Sequence, residues 1–267
     1  MKPQSVLWKL TLALGLVAAL GGAPVTRAAD LNVGANVGNV PWEFQDKSGA
    51  IVGFEIDLVN EVAKRLGKSV EIVNIPFNGL FPAVESGRIN MAVSSITITE
   101  KRLGSLSFAQ PYYDSDQSLT VKADSGIKGT ADLKGKTIGV DTSSTGDIWA
   151  TKANETIGFG TINRYEGLAP AMLDLQAGRI DGYISDIPAL LYYTKDKPEL
   201  KVVERIPTGE KYSIMFAKND PLAKDVNDVL TALKKEGFIA GLHEKWFGAK
   251  AEDTTSTVQV TDMPASH

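Results

Sequence analysis

Asn78-Gly79-Leu80-Phe81-Pro82-Ala83 is echoed later in the chain by Glu166-Gly167-Leu168-Ala169-Pro170-Ala171. Each stretch reads as a helix opening. Proline in a first turn gives up only an N–H that had no partner, and each helix runs to a glycine, Gly87 or Gly178, suited to a left-handed C-cap. Arg-Ile follows both glycines and leads into Asn90-Met91-Ala92-Val93-Ser94-Ser95 and Asp181-Gly182-Tyr183-Ile184-Ser185-Asp186. Both strands are apolar in the middle and polar at the carboxyl end. Ligands of open α/β sheets bind outside the carboxyl ends of strands, so two such lobes facing each other would bring Ser94, Ser95 and Asp186 to one cleft.

The same alternation extends toward the N-terminus. Strand-like Leu31 to Val33 and Val70 to Ile75 flank a helix over Phe54 to Leu66, with Gly67 as its C-cap. Phe54, Leu58, Val62 and Leu66 fall on one face of that helix, while Glu55, Glu61 and Lys64 can stay in water. Ala109 to Gln117, followed by a strand over Ser118 to Lys122, reads as an extended crossing between lobes, and a second crossing is expected near Thr208 to Tyr212. The chain after it would return to the first lobe. Residues 30–113 and 212–248 then form a discontinuous lobe, 114–211 the other, and two connecting strands permit hinge closure. Residues 249–267 are polar without periodicity, and no order is expected of them.

Lys2 and Lys9 precede the apolar run Leu10 to Leu20 and the small residues Gly21 to Ala29, the pattern of a secretory signal peptide over residues 1–29, cleaved after Ala28 or Ala29. The apolar run is about half the ~20 residues a membrane span needs. The whole chain carries a formal net charge of −4, and the leader holds only basic residues, so the mature surface is more acidic still. It offers no basic footprint for nucleic acid. With no cysteine and only His243 and His267, disulfide, thiol, zinc and Ser-His chemistry are poorly supported. Binding without a cofactor or metal leads.

A buried free amino acid needs partners for both of its charges. Arg102 follows the polar turn Ile96-Thr97-Ile98-Thr99 and can point back across it, offering a planar fork to a carboxylate. Asp141-Thr142-Ser143-Ser144-Thr145-Gly146 precedes another helix, whose entry can hold an anion through backbone N–H groups or be ordinary capping. It lacks the Gly-Lys-Ser/Thr ending of a phosphate loop. For the ammonium, Asp186 is the natural partner, with the Ser94 hydroxyl and the Ser95 carbonyl; Asp141 and Asp181 compete, although Asp181 opens its strand. Trp42 and Phe77 are the aromatic candidates for the side-chain pocket, Trp42 with an equal claim to the core. The Asn36 amide, where a charge would tune the cleft toward a charged ligand, points to a neutral polar side chain.

At Val52-Gly53-Phe54-Glu55-Ile56-Asp57-Leu58, Ser94 to Arg102, Leu133 to Val140 and Gly178-Arg179-Ile180-Asp181 the chain resembles the family 3 periplasmic solute-binding proteins, the polar amino-acid receptors of ABC importers that include histidine, lysine/arginine/ornithine and glutamine binders. The resemblance covers roughly Leu31 to Gly248. It implies a type II periplasmic binding-protein fold, two Rossmann-like α/β lobes joined by two crossing strands. It further implies a carboxylate held by Arg102, the Thr97 amide and the Thr145 region, an ammonium held by Asp186 and Ser95, and an aromatic stack from Phe77. Asn36 stands where histidine and glutamine binders carry an aspartate, Asn39 where many members have an aromatic, and Ser144 interrupts the usual Gly-Thr-Thr loop. The expected protein is a periplasmic monomer that closes on an L-amino acid and presents it to a membrane permease. A dehydratase acting on prephenate-like acids is the rival on the same scaffold, and a sensory domain differs from the importer reading only in partner.

Overall fold

The computed structural model describes residues 29–266. Strand β1 (Leu31–Ala35) leads to a short hairpin of β2 (Phe44–Gln45) and β3 (Ile51–Val52), then to helix α1 (Phe54–Arg65), strand β4 (Val70–Asn74) and helix α2 (Phe77–Glu85). Helix α1 buries Phe54, Leu58, Val59 and Val62 and ends at Gly67, which takes the left-handed conformation. Helix α2 begins at Phe77, so Pro82 lies inside it rather than in its first turn; the helix reaches back to Pro76, whose fixed φ suits the N-cap. Gly87 does adopt the left-handed conformation expected of the helix end.

Strand β5 (Met91–Ala92), helix α3 (Glu100–Ser105) and strand β6 (Leu106–Phe108) complete the first pass through this lobe. The chain then crosses on β7 (Tyr113–Lys122), which starts earlier than the sequence suggests. In the second lobe β8 (Thr137–Asp141), α4 (Thr145–Ile157), β9 (Thr161–Tyr165), α5 (Leu168–Gln176), β10 (Gly182–Asp186) and α6 (Ile187–Thr194) alternate. The return crossing is β11 (Leu200–Tyr212), followed by β12 (Met215–Ala217), α7 (Leu222–Lys235) and α8 (Phe238–Phe247).

One sheet runs β4-β1-β5-β12-β6 and the other β11-β7-β10-β8-β9. β1 pairs parallel with β4 and β5, and β8 parallel with β9 and β10, as crossover helices require. The crossings β7 and β11 pair antiparallel along both lengths, from Leu200↔Lys122 to Tyr212↔Tyr113, so the two connections form one ribbon. A register shift between Ile206 and Glu210 interrupts it, and the Thr208 and Gly209 amides both donate to Asp116 Oδ1 at 2.7 Å there. Among the described residues no helix is long and apolar enough to cross a membrane.

Trp42 sits at the centre of the first lobe's core, where it is fully buried. It meets Phe54 edge-on at 5.4 Å, Tyr113 at 4.7 Å and Tyr212 at 5.4 Å between ring centroids. Gly53 makes that packing possible. Its φ of 144° is one few side chains tolerate, and a Cβ there would lie 2.0 Å from the Trp42 carbonyl oxygen.

The C-terminal segment is fixed without helix or strand, contrary to the expectation of disorder. The Ser256 amide and hydroxyl both donate to Asp114, the Thr257 hydroxyl donates to the Tyr112 carbonyl, and the Thr261 amide donates to Gln110. Lys234, nearly all buried, donates to the carbonyls of Pro111 and Gln259 at 2.6 and 2.8 Å. Such anchoring leaves no hydrophobic period to read in a sequence.

Candidate functional site

Beyond β5 the backbone runs Val93-Ser94-Ser95, and Ser95 takes a left-handed φ of 45°, a strained conformation for a residue with a side chain. Two glutamates underneath hold it there. The Ser95 amide donates to Glu55 Oε1 at 2.9 Å and the Ser94 hydroxyl to Glu43 Oε1 at 2.6 Å, while the Tyr112 hydroxyl also donates to Glu55. Both glutamates are completely buried. Burial, followed by the neighbouring Glu55 charge, raises the Glu43 carboxyl well above the ordinary range, and burial also raises Glu55. Two carboxyls so placed cannot both ionise cheaply, which favours a shared proton under the cleft floor.

The opposite wall comes from the second lobe. Asp186 ends β10 at the N-cap of α6 and accepts from Ser95 Oγ at 3.0 Å, across the cleft, and from Gln117 Nε2 at 2.6 Å. Burial first, then the nearby Glu210 charge, pushes its carboxyl up to about 7. Ser144 caps α4, its hydroxyl accepting from the Asp147 amide at 3.0 Å, and so leaves Thr145 at the helix entry. Ser143, immediately before, has a left-handed φ of 65°.

Glu210 ties this arrangement to the hinge. From β11 it accepts from Thr97 Oγ1 at 2.6 Å in one lobe, from Thr145 Oγ1 at 2.9 Å in the other, and from Gln117 and Thr208 on the ribbon. Neither Glu210 nor Gln117 was anticipated from sequence. The available signal was the run of polar residues in β7: Ser115, Asp116, Gln117, Ser118 and Thr120 are all buried, which a merely connecting strand would not require.

The lobes are shut. Asn36, Phe77, Ser94, Ser95, Thr97, Ser144, Thr145 and Asp186 line one cavity of about 30 Å³, together with Asn39, Asp141, Leu168 and Ser185. That is room for a water molecule or two, so an amino acid can enter only as the lobes part. Two of the proposed contacts are absent from its wall. Trp42 is fully buried in the first lobe's aromatic cluster and does not line this cavity, an arrangement that favours packing over ligand contact. Arg102 does not face Asp186 across a single space. Its guanidinium donates to the Thr97 carbonyl at 2.6 Å and, across the cleft, to the Ser143 carbonyl at 3.3 Å. It lies 4.9 Å from the Phe81 ring centroid and 5.6 Å from that of Phe77, and it opens onto the adjoining cavity of about 280 Å³. With the lobes closed this far, main-chain oxygens on both sides of the cleft take its donors. Burial lowers its pKa to about 10, and the Glu210 and Asp186 charges act against that shift, so Arg102 still feels both acids.

Among the described residues no group of three or more metal-binding side chains converges. Asp181, weighed against Asp186 for the ammonium, opens the strand instead and accepts from the Thr137 amide at the far end of the sheet.

Comparison with known proteins converges on the same architecture. The L-cystine-binding protein TcyJ of Escherichia coli is 32% identical over 217 residues, covering 78% of this chain and 79% of that protein. The histidine-binding periplasmic protein of the same species is 30% identical over 258 residues, covering 90% and 96%. Among solved structures, the arginine-, lysine-, histidine-binding protein ArtJ from Geobacillus stearothermophilus is 35% identical, with a TM-score of 0.77 over 84% of this chain and 97% of that one. The model of the bacterial extracellular solute-binding proteins, family 3, matches residues 31–249. Two α/β lobes on a paired ribbon, a cleft between strand ends and that match together assign the chain: it belongs to the family 3 solute-binding proteins, amino-acid-binding components of ABC transporters and not enzymes.

Proposed function

We propose that this protein works in the periplasm, after loss of its leader, as the monomeric receptor that closes on a polar L-amino acid and hands it to an importer's permease. The observation that carries the reading is the meeting of Ser95 and Asp186 from opposite lobes at one cavity, with Thr97 and Thr145 beside them. An α-ammonium inserted between Ser95 and Asp186 would replace a bond that now closes the cleft on itself. The α-carboxylate would take the Thr97 and Thr145 amides and draw Arg102 off the Ser143 carbonyl. Ligand then favours the shut form by contacts that only the shut form offers.

Two observations bear on the ligand's side chain. The Asn36 amide supports a neutral polar group, whereas Asp141 on the facing lobe supports a cationic one. Titration calorimetry with the common L-amino acids tests the main reading. One of them should bind, and Arg102→Ala should weaken it by roughly 2–5 kcal/mol while the protein stays folded. Absence of binding across the set, or an Arg102→Ala protein of undiminished affinity, refutes the site as described.

A further inference from the structure

Asp141 ends β8, and Asp186 ends β10, the parallel strand beside it. Neighbouring strands lie about 4.8 Å apart, and both residues, at the carboxyl ends of theirs, line the same cavity. Their situations differ. Asp186 already accepts from Ser95 and Gln117, and Glu210 behind it accepts from four donors. Asp141 Oδ1 is sealed from solvent without a well-formed hydrogen bond, and the polar groups beside the carboxyl are the uncharged Tyr183 hydroxyl and Gly167 amide. Burial pushes the Asp141 carboxyl up to about 6, despite the Tyr183 hydroxyl and the Gly167 amide nearby.

The balance of charge in the cleft points the same way. Once Arg102 and Asp186 have taken the two charges of a zwitterion, Glu210 is held by four neutral donors on the hinge and Asp141, in the cavity wall, has no charged partner. No lysine, arginine or histidine lines the cavity to pair with it. A shielded carboxylate without a counter-charge is costly, and a cation beside it removes the cost. Asn36 lines the same cavity, its side-chain nitrogen 3.4 Å from where a Gly167 Cβ would stand, and this amide can offer its oxygen as a second acceptor.

Building on the amino-acid reading above, we infer that Asp141 is the specificity residue of the cleft and receives the positively charged end of the ligand's side chain, making the preferred ligand a basic amino acid. The neutral ligand favoured by Asn36 alone gives way to this balance.

Calorimetry on the full mature chain at neutral pH, with L-arginine, L-lysine, L-histidine, L-glutamine, L-leucine and L-citrulline, tests it. At least one basic amino acid should bind ten times more tightly than L-glutamine or L-leucine. L-citrulline, uncharged but shaped like arginine, should bind at least ten times more weakly than L-arginine. Asp141→Asn should abolish these preferences, weakening the basic ligands tenfold or more and changing L-glutamine by less than threefold. Equal binding of L-citrulline and L-arginine by the native protein overturns the inference without any variant having to fold, as does an Asp141→Asn protein that weakens every ligand alike. If none of the six binds but another common L-amino acid does, or if glutamine or leucine binds best, only the assignment of Asp141 fails; no binding across the whole common set fails the amino-acid reading itself.

Discussion

Replacing Asp186 by asparagine should make the empty protein more stable and the receptor much worse. The Asp186 carboxyl is raised from an ordinary 3.8 to about 7, a shift that corresponds to roughly 4 kcal/mol of resistance to ionisation in the folded state. The unfolded chain ionises near the ordinary value, so it sheds a proton that the folded chain retains. Stability therefore falls as pH rises from about 4 through about 7 and levels off above, where the full penalty has been incurred. An asparagine never incurs it. The substitution disturbs two hydrogen bonds, from Ser95 Oγ at 3.0 Å and Gln117 Nε2 at 2.6 Å, but a hydroxyl can turn to accept and an amide can flip. Allowing about 1 kcal/mol for each imperfect bond, Asp186→Asn should gain about 1–3 kcal/mol at neutral pH and lose about 1–2 kcal/mol near pH 4, where the native carboxyl incurs no penalty. Binding should move the other way, losing roughly 2–5 kcal/mol as the ammonium loses its counter-charge. Urea unfolding at several pH values, paired with calorimetric titration of the best ligand, measures both. A variant less stable than the native protein at neutral pH, or one that binds as well, would refute the argument.

Three further outcomes follow from the packing. Trp42→Ala should cost about 3–5 kcal/mol in urea unfolding, the loss typical of a large aromatic removed from a core; a negligible change would return Trp42 to the pocket. Gly53→Ala should give little folded protein, as seen by circular dichroism, because its Cβ would fall 2.0 Å from the Trp42 carbonyl oxygen. Truncation after Gly248 should lower the melting temperature and speed amide exchange at Tyr112 to Asp114, since it removes the Ser256 and Thr257 contacts and leaves Lys234 with Pro111 alone; unchanged exchange would mean that the C-terminal segment only rests on the surface.

Much of the fold could be read locally. The spacing of Phe54, Leu58 and Val62 determines which face of α1 is buried, and Gly67, Gly87 and Gly178 end helices because each takes a left-handed conformation that other residues resist. Ser94 and Ser95 just beyond β5, and the polar end of β10, likewise announced a cleft. What stayed hidden depends on neighbours distant in sequence. Trp42 is a core residue because Tyr113, Tyr212 and Phe247 arrive around it, and no spacing near position 42 records that. Glu210 looks like a solvated acid in an exposed strand until Thr97 and Thr145 come to it from both lobes. Arg102 and Asp186 were each identified by type, but whether they share a space depends on how far the lobes have closed, a quantity the local sequence does not encode.

The paired crossings have a mechanical consequence. Two independent tethers would let one half of the molecule swing, slide and roll against the other, whereas strands laced together by backbone hydrogen bonds resist shear along their length and stretch hardly at all. What remains soft is flexing at the break in lacing around Pro207, Thr208 and Gly209, which Asp116 clips shut. Flexing there would confine any parting of the two sheets to one angular coordinate, like a door on a pin, and return the same two surfaces to the same final register.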